Sequence, residues 1–200
     1  MIRFALLSFS IVLICACQKA ETSGEPAATD LSAYDMESIP QTDARLAIRR
    51  DASGNIIERG YFKDGHRVGS WVTYATSPQG ETFAKTVATF IDGMYNGLYQ
   101  ELNQRGQIEL MTYYKNNKLH GPWIKYRLSR PEVEAYYQDG EMHGWYREYD
   151  FRTGKIQKEI SFKEGKLLGP YGFYNDRGEI VLEYQYEEGE RVDGGIVETG

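Results

Sequence analysis

The chain has 200 residues, of which 41% are hydrophobic and 14% aromatic, and this composition favours a folded body over a disordered chain. The formal net charge is −6 and no basic stripe accompanies the aromatic residues, so we expect no binding of nucleic acid. Both cysteines, Cys15 and Cys17, lie near the N-terminus, which excludes disulfides and cysteine-based metal sites from the rest of the chain.

Residues 1–16 have the pattern of a bacterial export signal. Arg3 is their only charge, an almost unbroken apolar run follows it, and a small residue precedes Cys17. The run is too short to cross a bilayer as a mature helix. The tetrapeptide that ends at Cys17, Ile-Cys-Ala-Cys, resembles a lipobox, and this resemblance implies cleavage before Cys17 and lipidation of that residue. An ordinary secreted protein is the alternative.

The residue after the cysteine bears on the destination of the protein. Gln18 stands where an Asp usually marks retention in the inner membrane, so the resemblance favours an outer-membrane lipoprotein of the bacterial cell envelope that faces the periplasm. A lipid anchor of this kind holds a protein at a bilayer without a transmembrane helix. The acidic charge balance argues against further binding to anionic lipid headgroups, so we expect membrane contact through the anchor alone.

Residues 17–45 begin with the lipidated cysteine and continue as an acidic stretch with few apolar side chains. This composition indicates a flexible tether, whose span as a coil is on the order of 30 Å. The alternative is a partly docked N-terminal extension, in which Leu31, Tyr34 and Met36 cover an exposed edge of the folded body.

A pattern that occurs six times occupies the body of the chain, residues 46–200. Each copy has a leading aromatic residue, a tight turn, a second glycine and a second aromatic residue, and the last copy is degenerate. The leading aromatic residues recur at intervals of 28, 24, 23, 25 and 24 residues, which identifies an array of one small unit. They are Phe62, Phe90, Tyr114, Tyr137, Phe162 and Tyr186.

Each unit has the pattern of a β-hairpin. Apolar and polar residues alternate before each leading aromatic residue, as at Ile108, Leu110 and Thr112, which is typical of a half-buried antiparallel strand. The turns are predicted at the glycines Gly65, Gly93, Gly140, Gly165 and Gly189. The second glycine is expected to start the returning strand. A second set of glycine turns connects the units, with Pro131 in this role in the fourth connection.

These signals predict an all-β fold: an elongated, open meander of consecutive antiparallel hairpins, about six repeats and about twelve strands. We expect one twisted sheet curved into a trough, with aromatic side chains along its concave side, because no unit buries its own apolar face. Residues 46–50 and the degenerate C-terminal copy are the expected caps of the two ends.

The unit aromatic-x-x-Gly-x-x-x-Gly-x-[Trp/Tyr]-x-x-Tyr resembles the MORN repeat, and most closely its bacterial variant form, as in YwqK-type antitoxin proteins. The matching copies cover residues 46 to about 195. The resemblance implies a non-catalytic module that engages a partner, which in the antitoxin members is a cognate toxin.

The polar residues that resemble catalytic groups fall into register with the repeat. His120 and His143 occupy the same position before the second glycine, which indicates a structural role and no metal site. Glu134, Glu159 and Glu183 lie three residues before a leading aromatic residue and are expected to form a solvated acidic stripe. The sequence has no grouping typical of a nucleophilic enzyme or a phosphate-binding loop. We therefore expect neither enzymatic activity nor a cofactor.

The second aromatic residues of the repeats form the candidate binding surface, and we call them the aromatic row: Trp71, Tyr99, Trp123, Tyr146 and Tyr171. One interpretation is that these rings only pack neighbouring repeats together. The other is that they form the floor of a groove for an extended peptide or a glycan.

Our leading hypothesis from the sequence is a monomeric, lipid-anchored binding or scaffold protein of the cell envelope that holds a protein partner. One alternative is an antitoxin or immunity protein that neutralises a toxin. The other alternative is a module that binds peptidoglycan or another glycan.

Overall fold

The computed structural model describes residues 30–198. The predicted export signal and the predicted lipidation site, Cys17, lie outside this range. Within it, all strands belong to one open sheet of fourteen antiparallel strands, and the order of the strands in the sheet is their order in the sequence. Apart from one turn of 3₁₀ helix at Leu31–Ala33, the regular structure is β. The predicted all-β meander of hairpins is therefore confirmed.

The strands follow one another with short connections. They are β1 (Asp35–Ser38), β2 (Arg45–Arg50), β3 (Ile56–Lys63), β4 (His66–Thr76), β5 (Thr82–Ile91), β6 (Met94–Leu102), β7 (Ile108–Lys115), β8 (Lys118–Arg127), β9 (Arg130–Gln138), β10 (Glu141–Tyr149), β11 (Ile156–Lys163), β12 (Lys166–Tyr174), β13 (Ile180–Glu187) and β14 (Glu190–Ile196). The six repeats are the hairpins from β3–β4 to β13–β14. Two strands precede them, so the sheet has two more than the twelve predicted.

The first strand corrects the predicted extent of the tether. Residues 35–38 pair with β2, with Met36 opposite Ala47, and the rings of Tyr34 and Phe62 meet edge to face at 5.3 Å. The prediction of a flexible segment through residue 45 is therefore wrong for this part, because Tyr34 and Met36 bury apolar surface against the first repeat. The alternative of a docked extension describes these residues.

The two faces of the sheet differ in burial. We call the face that carries the aromatic row the packed face. Cross-strand partners on it alternate a large ring with a smaller side chain, so that neighbouring repeats interdigitate. From β4 to β12 this register runs Trp71, Ala88, Tyr99, Thr112, Trp123, Ala135, Tyr146, Ile160 and Tyr171. The buried apolar side chains all lie on this face.

We call the tight turn that follows each leading aromatic residue the leading turn. The glycine of this turn also links its hairpin to the preceding one. The N–H of Gly93 donates to the carbonyl of Arg67 at 2.9 Å, and the N–H of Gly140 donates to the carbonyl of Leu119 at 2.8 Å. Gly165 and Gly189 make the same bond to Met142 and Leu167, and Asn117 makes it to Tyr95. Gly65, at the start of the array, also lies in its turn, with a φ of +80°. Successive leading turns are thus joined in series along the side of the sheet where these strand ends lie.

The second glycine of each repeat lies inside the returning strand, which corrects the prediction that it starts this strand. The register of β9 and β10 shifts between Met142 and Tyr146, and Gly144 in that interval has a φ of +89°. This glycine therefore occupies a β-bulge, in which the extra residues bend the strand. Gly144 pairs with Phe162 of the next repeat, and a Cβ at Gly144 would meet the Cβ of Tyr136 at 3.8 Å, so the positive φ of the bulge is what requires glycine there.

The connections that lead into the repeats are held by side chains that the sequence pattern did not single out. Oδ1 of Asp51 accepts the N–H groups of Ser53 and Asn55, both at 2.9 Å. Asn103, Asp150 and Asn175 hold equivalent turns. These are Asx turns, which fix a reversal by a bond from the side chain to the backbone.

The fourth connection is a two-residue turn, and the prediction of Pro131 in this role is wrong. Leu128 and Ser129 have φ values of +49° and +63°, and Arg127 pairs directly with Arg130. Positive φ at both central residues is the geometry of a type I′ turn. Pro131 lies within β9, opposite Tyr126.

Candidate functional site

The five residues of the aromatic row lie on one face and in one register line, as the repeat pattern predicts. Strands are about 4.8 Å apart, so consecutive members of the row, which are two strands apart, repeat every ~10 Å. The rings differ in accessibility: Trp71 is buried, whereas Tyr99, Trp123, Tyr146 and Tyr171 are half-buried. The row is therefore closed at its N-terminal end and partly open beyond it.

Trp71 is enclosed by aromatic and cationic groups. Its ring is 2% exposed and lies edge to face with Phe62 at 5.0 Å and with Tyr34 at 5.9 Å. The guanidinium of Arg67 lies 4.3 Å from the ring centroid, and the indole N–H donates to the carbonyl of Tyr61 at 3.2 Å. The prediction that Trp71 belongs to an accessible binding surface is thus wrong, because the docked N-terminal residues cover it.

At the N-terminal end of the aromatic row, the buried carboxylate of Glu58 accepts from three donors. We call these residues the Glu58 network: Tyr34, Arg49, Glu58 and Arg67. The Glu58 side chain is only 4% exposed. It accepts from the Tyr34 hydroxyl at 2.8 Å, from Nε of Arg49 at 3.0 Å and from the Arg67 guanidinium at 2.8 Å. Charge-assisted bonds of this kind offset the cost of removing the carboxylate from water.

Sequence reasoning missed this network, although a signal was present. Glu58 lies four residues before a leading aromatic residue, on the packed face. The equivalent positions of the other repeats are Thr86, Leu110, Val133, Lys158 and Leu182. A lone acid in that position indicates a specific buried partner.

The open members of the row are held in place by neighbouring side chains. The hydroxyl of Tyr99 donates to Glu101 at 3.0 Å, and that of Tyr146 donates to Glu148 at 2.8 Å. Burial raises the pKa of both phenols above the ordinary value, and the adjacent carboxylates add to the rise. Both hydroxyls therefore stay protonated and serve as donors. Tyr171 packs against Tyr186, with ring centroids 5.8 Å apart.

A line of charged residues runs beside these rings on the packed face, and we call it the charged row: Glu101, Lys125, Glu148 and Lys158. The Nζ of Lys158 lies 3.1 Å from Glu148 and 5.6 Å from the Tyr146 ring centroid. Lys125 pairs with Glu132 at 2.9 Å. Together, Tyr99, Trp123, Tyr146, Tyr171 and the charged row form what we call the central surface. It offers apolar ring faces next to alternating charge.

The three glutamates of the predicted acidic stripe lie on the opposite face, but Arg147 neutralises them in part. Arg147 is the register partner of both Glu134 and Glu159 and forms an ion pair with Glu159. Sequence reasoning did not single out Arg147 as the partner of these carboxylates. Glu183 is on the same face, opposite Gly172.

Beside Glu134 lies a shallow recess of about 330 Å³, which Arg130, Pro131, Tyr149 and Thr153 help to line. The Tyr149 hydroxyl donates to Glu134 at 2.8 Å. Burial, and then this bond, raise the pKa of Tyr149 to about 12. A phenol that is protonated at neutral pH acts here as a donor and not as a base.

The histidines lie where the repeat places them. Nδ1 of His120 is 3.3 Å from the Asp139 carboxylate and accepts the Asp139 N–H at 3.3 Å, so it caps the neighbouring turn. Across residues 30–198, no three His, Cys, Asp or Glu side chains are grouped as metal ligands. The same residues contain no helix that is long and apolar enough to span a membrane.

Comparison with known proteins gives no family. No family model matches the chain, and no curated protein matches it. Among solved structures, a mutant of Staphylococcus aureus TarM in complex with Fondaparinux, alpha-GlcNAc-glycerol and UDP is similar at 11% identity, with a TM-score of 0.28. This match covers 69% of the present chain and 21% of that chain. The chain thus spans about a fifth of the protein it matches, and a likeness this weak carries no inference about function.

Proposed function

We propose that this protein is a non-catalytic, lipid-anchored binding or scaffold protein of the bacterial cell envelope, and that it holds a protein partner on its central surface. The observation that carries the proposal is a line of half-buried aromatic rings on a single-layered sheet. No second layer covers these rings within residues 30–198. The hairpin array is proposed to be of the MORN type, on the repeat pattern set out above.

Three properties of the central surface support a role in binding. Tyr and Trp contribute large contact areas to interfaces and lose little conformational entropy there. Their hydroxyl bonds and ring contacts fix the side chains before a partner arrives, which reduces the cost of binding. The charges of Lys125 and Glu148 alternate along the row and can set the register of a partner.

The test is crosslinking in the native envelope, comparing two double variants. Trp123→Ala with Tyr146→Ala removes two rings of the central surface. The matched control, Tyr113→Ala with Tyr136→Ala, removes two rings from the opposite face that are 38% and 37% exposed. We expect the first variant to lose a crosslinked partner that the control keeps. Equal recovery of the partner by both variants would contradict the proposal.

The anchor is tested separately. We expect Cys17→Ser to abolish labelling by fatty acid and to release the protein from the membrane fraction. The control is Cys15→Ser, which keeps the cysteine that the lipobox pattern assigns to lipidation. A Cys17→Ser variant that stays membrane-bound and labelled would refute the anchor without affecting the surface.

A further inference from the structure

The N-terminal end of the sheet is basic, although the whole chain has a net charge of −6. Five arginines lie on β2, β3 and β4: Arg45, Arg49, Arg50, Arg59 and Arg67. Residues 30–38 cross this end, and we call them the N-terminal strap. The strap has three acidic residues, one of which, Asp35, lies 3.4 Å from Nε of Arg50. The charge of the strap is complementary to the surface that it covers.

The strap fills a site with defined chemistry, which we call the tyrosine site. It consists of the edge of β2, the rings of Phe62 and Trp71, and Glu58. The Tyr34 ring packs edge to face on both rings, and its hydroxyl donates to Glu58 and accepts from Arg67 at 3.0 Å. Two residues later, Met36 is paired with the fully buried Ala47. The site thus selects a tyrosine, an acidic residue and then an apolar residue, in an extended strand.

The strap itself is weakly held, in contrast to the site beneath it. β1 has four residues, whereas the strands of the six repeats have seven to eleven. All residues of the strap are exposed or half-buried, and Trp71 and Glu58 beneath it are buried. Terminal segments that bury little apolar surface open at a lower free energy than the body of a fold. The strap is therefore expected to detach while the tyrosine site beneath it stays folded.

We propose that the tyrosine site is a docking site for an acidic, tyrosine-containing strand of a partner protein, and that the N-terminal strap occupies it in cis. A partner strand replaces β1 by pairing with β2 and inserts its tyrosine over Phe62 and Trp71. Its acidic residues meet the arginines at this end. The strap then acts as an intramolecular competitor that lowers the apparent affinity for the partner.

The test uses a fluorescent peptide of residues 32–39 as the probe and the full chain with Cys15→Ser and Cys17→Ser as the background. A double variant, Tyr34→Ala with Met36→Ala, lacks both side chains that hold the strap, and we call it the released variant. We expect it to bind the peptide at least tenfold more tightly than the background protein does. A peptide with phenylalanine in place of its tyrosine loses a hydrogen bond to a buried charged group and is expected to bind about tenfold more weakly.

The matched control is a locked variant, Met36→Cys with Ala47→Cys. Antiparallel partners have Cα atoms about 4.5–5.5 Å apart, within the range that a disulfide bridges. We expect no peptide binding when this variant is oxidised and binding when it is reduced. The oxidised and reduced forms are the same protein, so their comparison does not depend on the released variant. The test therefore stays decisive even if the released variant folds poorly.

Three results would overturn the proposal. They are equal binding by the oxidised and reduced forms, equal binding of the two peptides, and dimerisation of the background protein by exchange of straps between copies. The tyrosine site contains no residue of the central surface. Peptide binding is therefore expected to survive Trp123→Ala, so failure here is distinct from failure of the proposed function.

Discussion

Gly60 lies directly beneath the indole of Trp71. A Cβ at position 60 would overlap the ring atoms Cγ, Cδ2 and Cε2 of Trp71, so only glycine allows this ring to lie flat on the sheet. The same register position holds Ala88 in the next repeat and Thr112 in the one after it. The size of this residue therefore sets how closely each second aromatic ring approaches the backbone.

We expect Gly60→Ala to destabilise the protein by about 1–3 kcal/mol, since overpacking displaces Trp71 from a buried site. The measurement is urea unfolding followed by tryptophan fluorescence. Gly195→Ala is the matched control, because a Cβ there meets nothing within 4 Å and φ is not in the left-handed region. Equal stabilities of the two variants would show that Trp71 relocates at no cost.

Thr112 is 1% exposed, and its hydroxyl has no hydrogen-bond partner within residues 30–198. A buried hydroxyl without a partner destabilises the folded state, and valine has nearly the same shape. We expect Thr112→Val to raise the free energy of unfolding by about 1 kcal/mol in thermal or urea unfolding. Thr112→Ser keeps the hydroxyl, loses a methyl group and should lower this energy by about 1 kcal/mol. A Val variant no more stable than the native chain would indicate that the hydroxyl finds an acceptor.

The turn at Leu128 and Ser129 holds two residues in a conformation that asparagine and glycine adopt at lower cost. We expect Leu128→Asn with Ser129→Gly to stabilise the protein by about 1 kcal/mol, measured as an increase in the urea midpoint. Leu128 is 67% exposed, so its loss removes little packing. The reverse change, Asn117→Leu in the third leading turn, should destabilise. A double variant with an unchanged midpoint would contradict the prediction.

Tyr149 predicts a loss of stability at alkaline pH. Its pKa is raised to about 12 in the folded protein from an ordinary value of 10, so the unfolded chain releases this proton first. The stabilisation that protonated Tyr149 contributes is complete below about pH 10 and is lost as the pH rises through about 12. Urea unfolding at increasing pH should show this decrease, and it should be smaller in Tyr149→Phe. An identical decrease in that variant would assign the effect to other groups.

The fold could be predicted because one signal recurs in every repeat. The leading aromatic residue, the turn glycine and the second aromatic residue fix hairpin length and face, and tertiary packing repeats the same geometry each time. The strap was predicted only as the alternative to a tether, because its strand formation depends on Tyr34 and Met36 finding a surface that only the folded first repeat provides. Its acidic composition, taken alone, indicated a tether.

The candidate site was predicted in part. The register of the aromatic row follows from the repeat, but the accessibility of each ring depends on what crosses it, and Trp71 is covered by residues outside the array. On the opposite face, Arg147 lies on a different strand from Glu134 and from Glu159, so the ion pair follows from strand pairing and not from sequence spacing.

The bonds that join successive leading turns give the array a direction. From the second leading turn onwards, each turn donates an N–H group to the preceding hairpin. The accepting carbonyl groups run from Arg67 to Leu167, one in each hairpin that is followed by another. Arg191 occupies the acceptor position of the last repeat, where an added hairpin would attach. A chain built in this way can lengthen or shorten during evolution by whole hairpins, and the bonds tolerate connections of different length, since they span leading-residue intervals of 23 to 28 residues.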